Sequence, residues 1–154
     1  MSVLLIASDH GGYLLKEKLK AYLAATGTIS VKDLGPYSKE RCDYPSYASA
    51  LAKEISSGRS KQGILICKSG IGNSIVANRY PGVRAALCYN QKAARLSRQH
   101  NDSNVLVLGA SFVNASAAKR IAKVWLKTEF QGARHTKRLN LIKRIEKQIR
   151  CDCL

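Results

Sequence analysis

The chain has few acidic residues, 10 Asp and Glu against 26 Lys and Arg, and few aromatic ones, at 6%. No window approaches the ~18 consecutive apolar residues of a membrane span, so no membrane association is expected. The opening segment "MSVLLIASDHGG" lacks a basic flank and carries too short an apolar run for a secretory signal; the expected location is the cytoplasm. The five cysteines, Cys42, Cys67, Cys88, Cys151 and Cys153, contain no CxxC pair. An odd number of them in a reducing compartment reads as free thiols. Cys151 and Cys153 form a CxC with no nearby His or second pair to complete a ligand set. No metal site is therefore expected there, and residues 150–154 are expected to fray. There is no repeat, no low-complexity segment and no linker, so residues 1–154 read as one domain. The scarcity of aromatics also removes the interleaved stacking side chains on which single-strand binders rely.

What is present in excess is positive charge. The formal net charge is +16, a field that draws anions in general: phosphorylated metabolites, nucleic acid or acidic surfaces. It is uneven. From Ser116 onward there are 11 Lys or Arg and 3 Asp or Glu, so half of the net charge sits in the last quarter.

Along the chain, short apolar runs alternate with segments of helical periodicity. Val3 to Ser8 reads as a strand, and Tyr13 to Ala25 as a helix with Leu14, Leu15, Leu19, Tyr22 and Leu23 on one face, closed by Gly27. "TISVKDLG" reads as the second strand, followed by a polar loop and a helix that starts at Pro45 and runs to about Ser57. Ile64 to Cys67 is the third strand and Ile71 to Arg79 its helix. "VRAALC" with "NQKAARLSRQH", and "NVLVLG" with Ala115 to Thr128, make the fourth and fifth units. Arg134 to Ile149 forms a last, very basic helix. Five such units predict an α/β fold: a parallel sheet with helices on both faces and ligands at the carboxyl ends of the strands.

The loops that carry chemistry are "DHGG" (Asp9, His10), "CKSGIGNS" (Cys67 to Ser74), "SRQHND" (His100 to Asp102) and "GARHTKR" (Arg134, His135, Arg138). Each alone has an ordinary explanation. "DHGG" is turn chemistry, a strand-end Cys is a small buried hydrophobe, a glycine-rich strand-to-helix loop is a generic anion cradle, and a basic helix is a solvated face. The glycine spacing fits neither GxGxxG nor the Walker loop. Taken together they would bring three His, one Cys, a loop of amides and two Arg at i, i+4 to one sheet edge, the Arg pair placed to hold one phosphate.

In this combination and order, from "DHGG" through "DYP", "ILICKSGIGNSIVANR", "LSRQHNDSNVLVLG" and "GARHTKR", the chain resembles the ribose-5-phosphate isomerase B family and its galactose- and allose-6-phosphate isomerase relatives. The resemblance implies a Rossmann-like three-layer sandwich with a five-stranded parallel sheet and a C-terminal helix. It implies a homodimer, or a dimer of dimers, with active sites shared between subunits. Cys67 matches the base that moves a proton between C1 and C2 of the sugar, with Ser69 at a hydroxyl position beside it. The amides of Gly70, Ile71, Gly72, Asn73 and Ser74 match the hole for the enediolate oxygen. Asp9 and His100 match groups that open the furanose ring, Tyr44 and Asn101 line the sugar, and His10, Arg134 and Arg138 match phosphate contacts. In two places the chain departs from the pattern: Lys68 stands where the family usually has Gly, and Ser111 where many members carry Arg.

The chemistry fits these residue types. Aldose–ketose conversion removes the proton beside a carbonyl, passes through an enediolate and returns the proton one carbon away, without cofactor or metal. A thiol is mostly protonated at neutral pH, and a helix N-terminus and nearby cations favour the thiolate that acts as base. Amides aimed at the new oxyanion lower the barrier. The expected reaction is ribose 5-phosphate to ribulose 5-phosphate, a step of pentose phosphate carbohydrate metabolism. The alternatives are allose or galactose 6-phosphate and, from another class, a basic nucleic-acid-binding module, for which no recognised motif is present.

Overall fold

The structure is a computed structural model that describes residues 3–152. Its elements in chain order are β1 (Val3–Ser8), α1 (Tyr13–Ala25), β2 (Ser30–Asp33), α2 (Tyr44–Ser56), β3 (Gln62–Cys67), α3 (Ile71–Ala77), β4 (Ala85–Leu87), α4 (Gln91–Asn101), β5 (Val105–Gly109), α5 (Ala115–Lys127) and α6 (Arg134–Asp152). The apolar runs of β1, β3 and β5 become strands covered on both faces, as parallel strands between helix layers must be, whereas β2 and β4 lie at the less buried edges. All five lie parallel in one sheet, in the order β2-β1-β3-β5-β4.

Side chains alternate across a strand, and that alternation divides the core. Leu4, Ile6, Ile64, Ile66, Leu106 and Leu108 pack with Leu19 and Leu23 of α1, Ala94 of α4 and Ile121 and Trp125 of α5. Leu5, Ala7, Leu65, Val105 and Val107 face the other way, toward Leu51, Ala52 and Ile55 of α2 and Ala77 of α3. This is the parallel sheet with helices on both faces that the alternating pattern predicts, and the three-layer, Rossmann-like α/β sandwich that the family resemblance implies. Trp125, fully buried, donates from Nε1 to Ser103 Oγ at 2.8 Å, which gives its one polar atom a partner.

Topology fixes where a ligand can sit. From β1 the chain moves outward to β2, whereas from β3 it moves the other way to β4 and returns to β5. The connections diverge between the neighbours β1 and β3, and at such a switch point a crevice opens at the carboxyl ends of the strands. Ser8 is in register with Ile66, so the loops beginning at Asp9 and Lys68 face each other across that crevice.

Several boundaries differ from the sequence reading by up to three residues; β2 is shorter than its 28–35 run and β3 begins at Gln62. β4 is confined to Ala85–Leu87 and pairs only with β5, since an edge strand has a ladder on one side alone. α3 stops at Ala77 rather than Arg79. α6 continues through Asp152 instead of ending at Ile149, because nothing between Arg134 and Asp152 is Gly or Pro to stop it. Cys151, expected in a frayed tail, is thus helical and exposed; Cys153 lies outside the described residues. No helix among the described residues is long and apolar enough to cross a membrane.

Candidate active site

Cys67 is the last residue of β3 and is 4% exposed. Its Sγ accepts a hydrogen bond from the Gly70 amide at 3.1 Å. That bond requires the chain to double back within three residues, which it does through Gly70 in the left-handed region, φ 81°, a conformation that costs a side chain but not glycine. α3 then starts at once, and its first amides are sorted by the loop. The Ile71 amide donates to Ser69 Oγ at 3.2 Å, and the Ser74 amide closes the first turn on Gly70 O at 3.1 Å. The amides of Gly72 and Asn73 have no partner among the described residues. The five-amide hole expected from sequence is therefore narrower: Gly72 and Asn73 offer free donors, Gly70 is aimed at the sulfur, and Ile71 and Ser74 are engaged. The Asn73 side chain is 1% exposed with both its amide atoms unpaired.

The β1 loop closes one side of this crevice. The Asp9 amide donates to Ile66 O at 3.2 Å, and its Oδ1 accepts from Gly12 N at 2.8 Å, which fixes a carboxylate that is only 6% exposed. His10 is exposed; its Nδ1 lies 2.9 Å from Cys42 O and 3.2 Å from Cys42 N, donating to one or accepting from the other according to tautomer. Cys42 thus anchors His10 through its backbone, a contact no spacing in the sequence signals. Tyr44, at the start of α2, lies over Gly72 so closely that a Cβ there would stand 2.5 Å from its Cζ; glycine is the residue that lets phenol and free amide meet. Lys68 O accepts from Ser111 N at 2.9 Å. The two departures from the family pattern are therefore neighbours at the ends of β3 and β5.

The remaining predicted residues are elsewhere. His100 and Asn101 end α4, and a crossover helix returns the chain to the amino edge of the sheet. Arg84, just before β4, donates from Nε to Asn101 O at 3.0 Å and to Asp102 O at 2.9 Å. The Gln131 amide donates to Gln99 O at 3.1 Å, which brings the start of α6 alongside. There the His100 and His135 rings stack with centroids 4.3 Å apart and planes 11° apart. Arg134 and Arg138 flank this stack, exposed and without an ion pair among the described residues. The expectation that three His, the thiol and two Arg meet at one edge is thus corrected. Within one chain, Cys67, Ser69, Asp9, His10 and Tyr44 gather at the carboxyl edge, whereas His100, Asn101, Arg134 and Arg138 gather at the amino edge, a strand length or roughly 17–20 Å away. Reading the end of α4 as a strand-end loop caused the error, since a helix in a parallel crossover ends where the next strand begins.

His135 is a member of this second group that the residue-by-residue reading passed over, although it lies within "GARHTKR". Burial, then the neighbouring His100, Arg134 and Arg138, pulls its pKa below the ordinary imidazole value. The other thiol of the core, Cys88, is pushed up to about 11 by burial, which makes it an inert counterpart to Cys67.

The sequence pattern of the ribose/galactose isomerase family matches residues 4–142. Ribose-5-phosphate isomerase B of Escherichia coli K12 is 43% identical over 148 residues, which cover 96% of this chain and 99% of that one. The solved structure of Clostridium thermocellum ribose-5-phosphate isomerase B is 45% identical and superposes with a TM-score of 0.92 over 96% of this chain and 99% of that one. That of the Mycoplasma genitalium enzyme with bound ribulose 5-phosphate is 40% identical, with a TM-score of 0.90 over 94% and 96%. With a thiol under a backbone amide, free amides one turn on and a likeness that spans nearly the whole fold, the chain belongs to the ribose/galactose isomerase family.

Proposed function

We propose that this chain interconverts ribose 5-phosphate and ribulose 5-phosphate through an enediolate, with Cys67 as the base. The observation that carries the reading is the Gly70 amide on Cys67 Sγ at 3.1 Å, beside two unpartnered amides. That donor is aimed at the atom that acts as the base. The thiolate takes the proton from C2 of the open aldose, and the electron pair moves onto the carbonyl oxygen at C1. The Gly72 and Asn73 amides face the resulting oxyanion, a kind of contact whose loss typically costs ~3 kcal/mol of barrier. The same proton returns to C1, and the hydroxyl proton on the oxygen at C2 passes to the oxygen at C1 as C2 becomes the carbonyl, so atoms and electrons balance with no co-reactant. Ser69 supplies a hydroxyl beside the thiol, and Tyr44 lies along the sugar.

The site is completed by a second copy. The carboxyl edge holds the base and Asp9, and the amino edge holds His100, Asn101, Arg134 and Arg138, a strand length away. A homodimer with two-fold symmetry sets each edge against its opposite on the partner and makes two sites at once. In such a site, Asp9 and His100 of the partner subunit exchange the protons that open the furanose, while His10 with Arg134 and Arg138 of the partner subunit holds the phosphate. The neighbouring Lys68 and Ser111 bear on the sugar accepted, since they alter charge at the crevice rim; allose or galactose 6-phosphate is the second reading for that reason. Following purified protein with ribose 5-phosphate and the two hexose phosphates tests both. Turnover of ribose 5-phosphate fastest supports the proposal, and a hexose phosphate preferred by more than tenfold replaces it with the second reading.

A further inference from the structure

The mechanism above uses His100 but leaves its stacked neighbour without a task. His135 is 3% exposed, sits in the first turn of α6 and lies parallel to His100 at 4.3 Å. No ring nitrogen of either residue has a hydrogen-bond partner among the described residues. The acidic group nearest in sequence, Asp102, is already held by Arg84 at 3.0 Å and Arg98 at 2.7 Å. The stack is therefore what orients His100. The turn that delivers His135 is specified rather than loose. Ala133 holds φ 48° directly after Gly132 at φ 66°, and the His135 amide donates to Gly132 O at 3.0 Å. A non-glycine residue in that region is strained and persists where its surroundings dictate it.

We propose that His135 is the positioning residue for His100, a buried plate that fixes the orientation of the neighbouring imidazole and confines the pair to a single proton. The proposal rests on the reading of His100 as a proton-exchanging group in ring opening. Two imidazoles face to face at this distance repel strongly when both are charged, so they titrate as a coupled pair. The groups about His135 are His100 from α4 and Arg134 and Arg138 from α6, all cationic when charged; with burial, they hold His135 below the usual imidazole range. His100 is the partly exposed member of the pair, the ring from which a proton can be passed to a sugar.

The test compares His135→Phe, which keeps a flat plate but cannot titrate, with His135→Ala, which removes it. On ribose 5-phosphate, His135→Ala is expected to lower kcat about tenfold, a part of the ~10²–10⁴-fold that a general acid–base group contributes, while KM changes little. His135→Phe restores most of kcat. Loss of packing alone would instead displace Arg134 and Arg138 and raise KM in both variants, and that result overturns the proposal. Independently of turnover, proton NMR titration of the imidazoles should show the pair in the wild type taking one proton readily and the second only at much lower pH, and His100 in His135→Phe titrating as a simple single group. Identical His100 titration in wild type and His135→Phe also overturns it. If His100→Ala keeps full turnover on the cyclic sugar, the ring-opening reading fails, and the titration alone decides whether the two rings are coupled.

Discussion

The two ends of the sheet are built by opposite means. At the carboxyl edge, positions are set by short backbone contacts: Gly70 N on the Cys67 sulfur at 3.1 Å, Gly12 N on Asp9 at 2.8 Å, and Tyr44 against Gly72. At the amino edge, charge and ring stacking dominate: His100 on His135 at 4.3 Å, flanked by Arg134 and Arg138 without acidic partners. The first has donors aimed at an anion in the substrate, with His10 as its proposed share of the phosphate contacts. The second can hold a phosphate and exchange protons but has no base for carbon. Under the proposed function, that difference makes the single chain a half-site at each end.

The largest effect should come from removing the proposed base. Cys67→Ala is expected to lower isomerisation by ~10²–10⁴-fold with an unchanged circular dichroism spectrum; retention of a tenth of the rate would remove Cys67 from that role. The same variant breaks or sharpens the comparison of edges. Cys67→Ala chains unfolded and reassembled with His100→Ala chains should recover about a quarter of wild-type activity. Half of random pairs are mixed, and one of the two sites in each is intact, by the counting of two-fold symmetry. No recovery in verified mixed dimers would place both groups in one chain.

Next in size is the support beneath the carboxyl edge. Lys16, fully buried, donates to Asp33 at 2.7 and 2.8 Å and to Pro36 O at 2.7 Å, and Lys20 also binds Asp33. Burial alone would raise the Asp33 carboxyl, but hydrogen bonds from Lys16, Lys20 and the Gly35 amide outweigh it and hold the group below its usual value. Lys16→Met should cost ~1–3 kcal/mol in denaturant unfolding, since Asp33 loses one buried partner but keeps Lys20 and the Gly35 amide. A carboxyl whose folded pKa is depressed contributes its full stability above its unfolded value and loses it as pH falls through the folded one. The wild type should therefore lose stability below about pH 4 more steeply than Lys16→Met. Parallel acid transitions would show that the pair carries no such linkage.

At the amino edge, Arg134→Ala and Arg138→Ala should each raise KM for ribose 5-phosphate roughly tenfold with kcat nearly kept, as expected for a charge-assisted contact worth ~1.5–3 kcal/mol. Unchanged KM in both would reduce α6 to a solvated face. The smallest effect should be at the crevice rim. Lys68→Ala is expected to raise KM two- to threefold, a surface electrostatic contribution of under ~1 kcal/mol, and to raise it less in 0.5 M salt than at low salt, where screening is weaker. A salt-independent change would point to loop shape instead of charge.

The sequence by itself determined the layers and most of the carboxyl edge. Apolar runs of five or six residues have to be strands buried on both faces, and the loops that follow them carry their chemistry in consecutive residues, so Cys67 to Ser74 could be read as one unit. α6 was legible as a basic helix, though not its continuation to Asp152. Only the tertiary structure decided which loops share an edge. Sequence order says that His100 closes a helix but not that the helix has carried it back across the sheet, and stacking of His100 on His135 joins residues 35 positions apart by packing that no local pattern encodes. Which amides remain free was likewise decided by the fold, because a hydrogen-bond donor is available only after every nearer acceptor, here the Cys67 sulfur, Ser69 Oγ and Gly70 O, has taken its share.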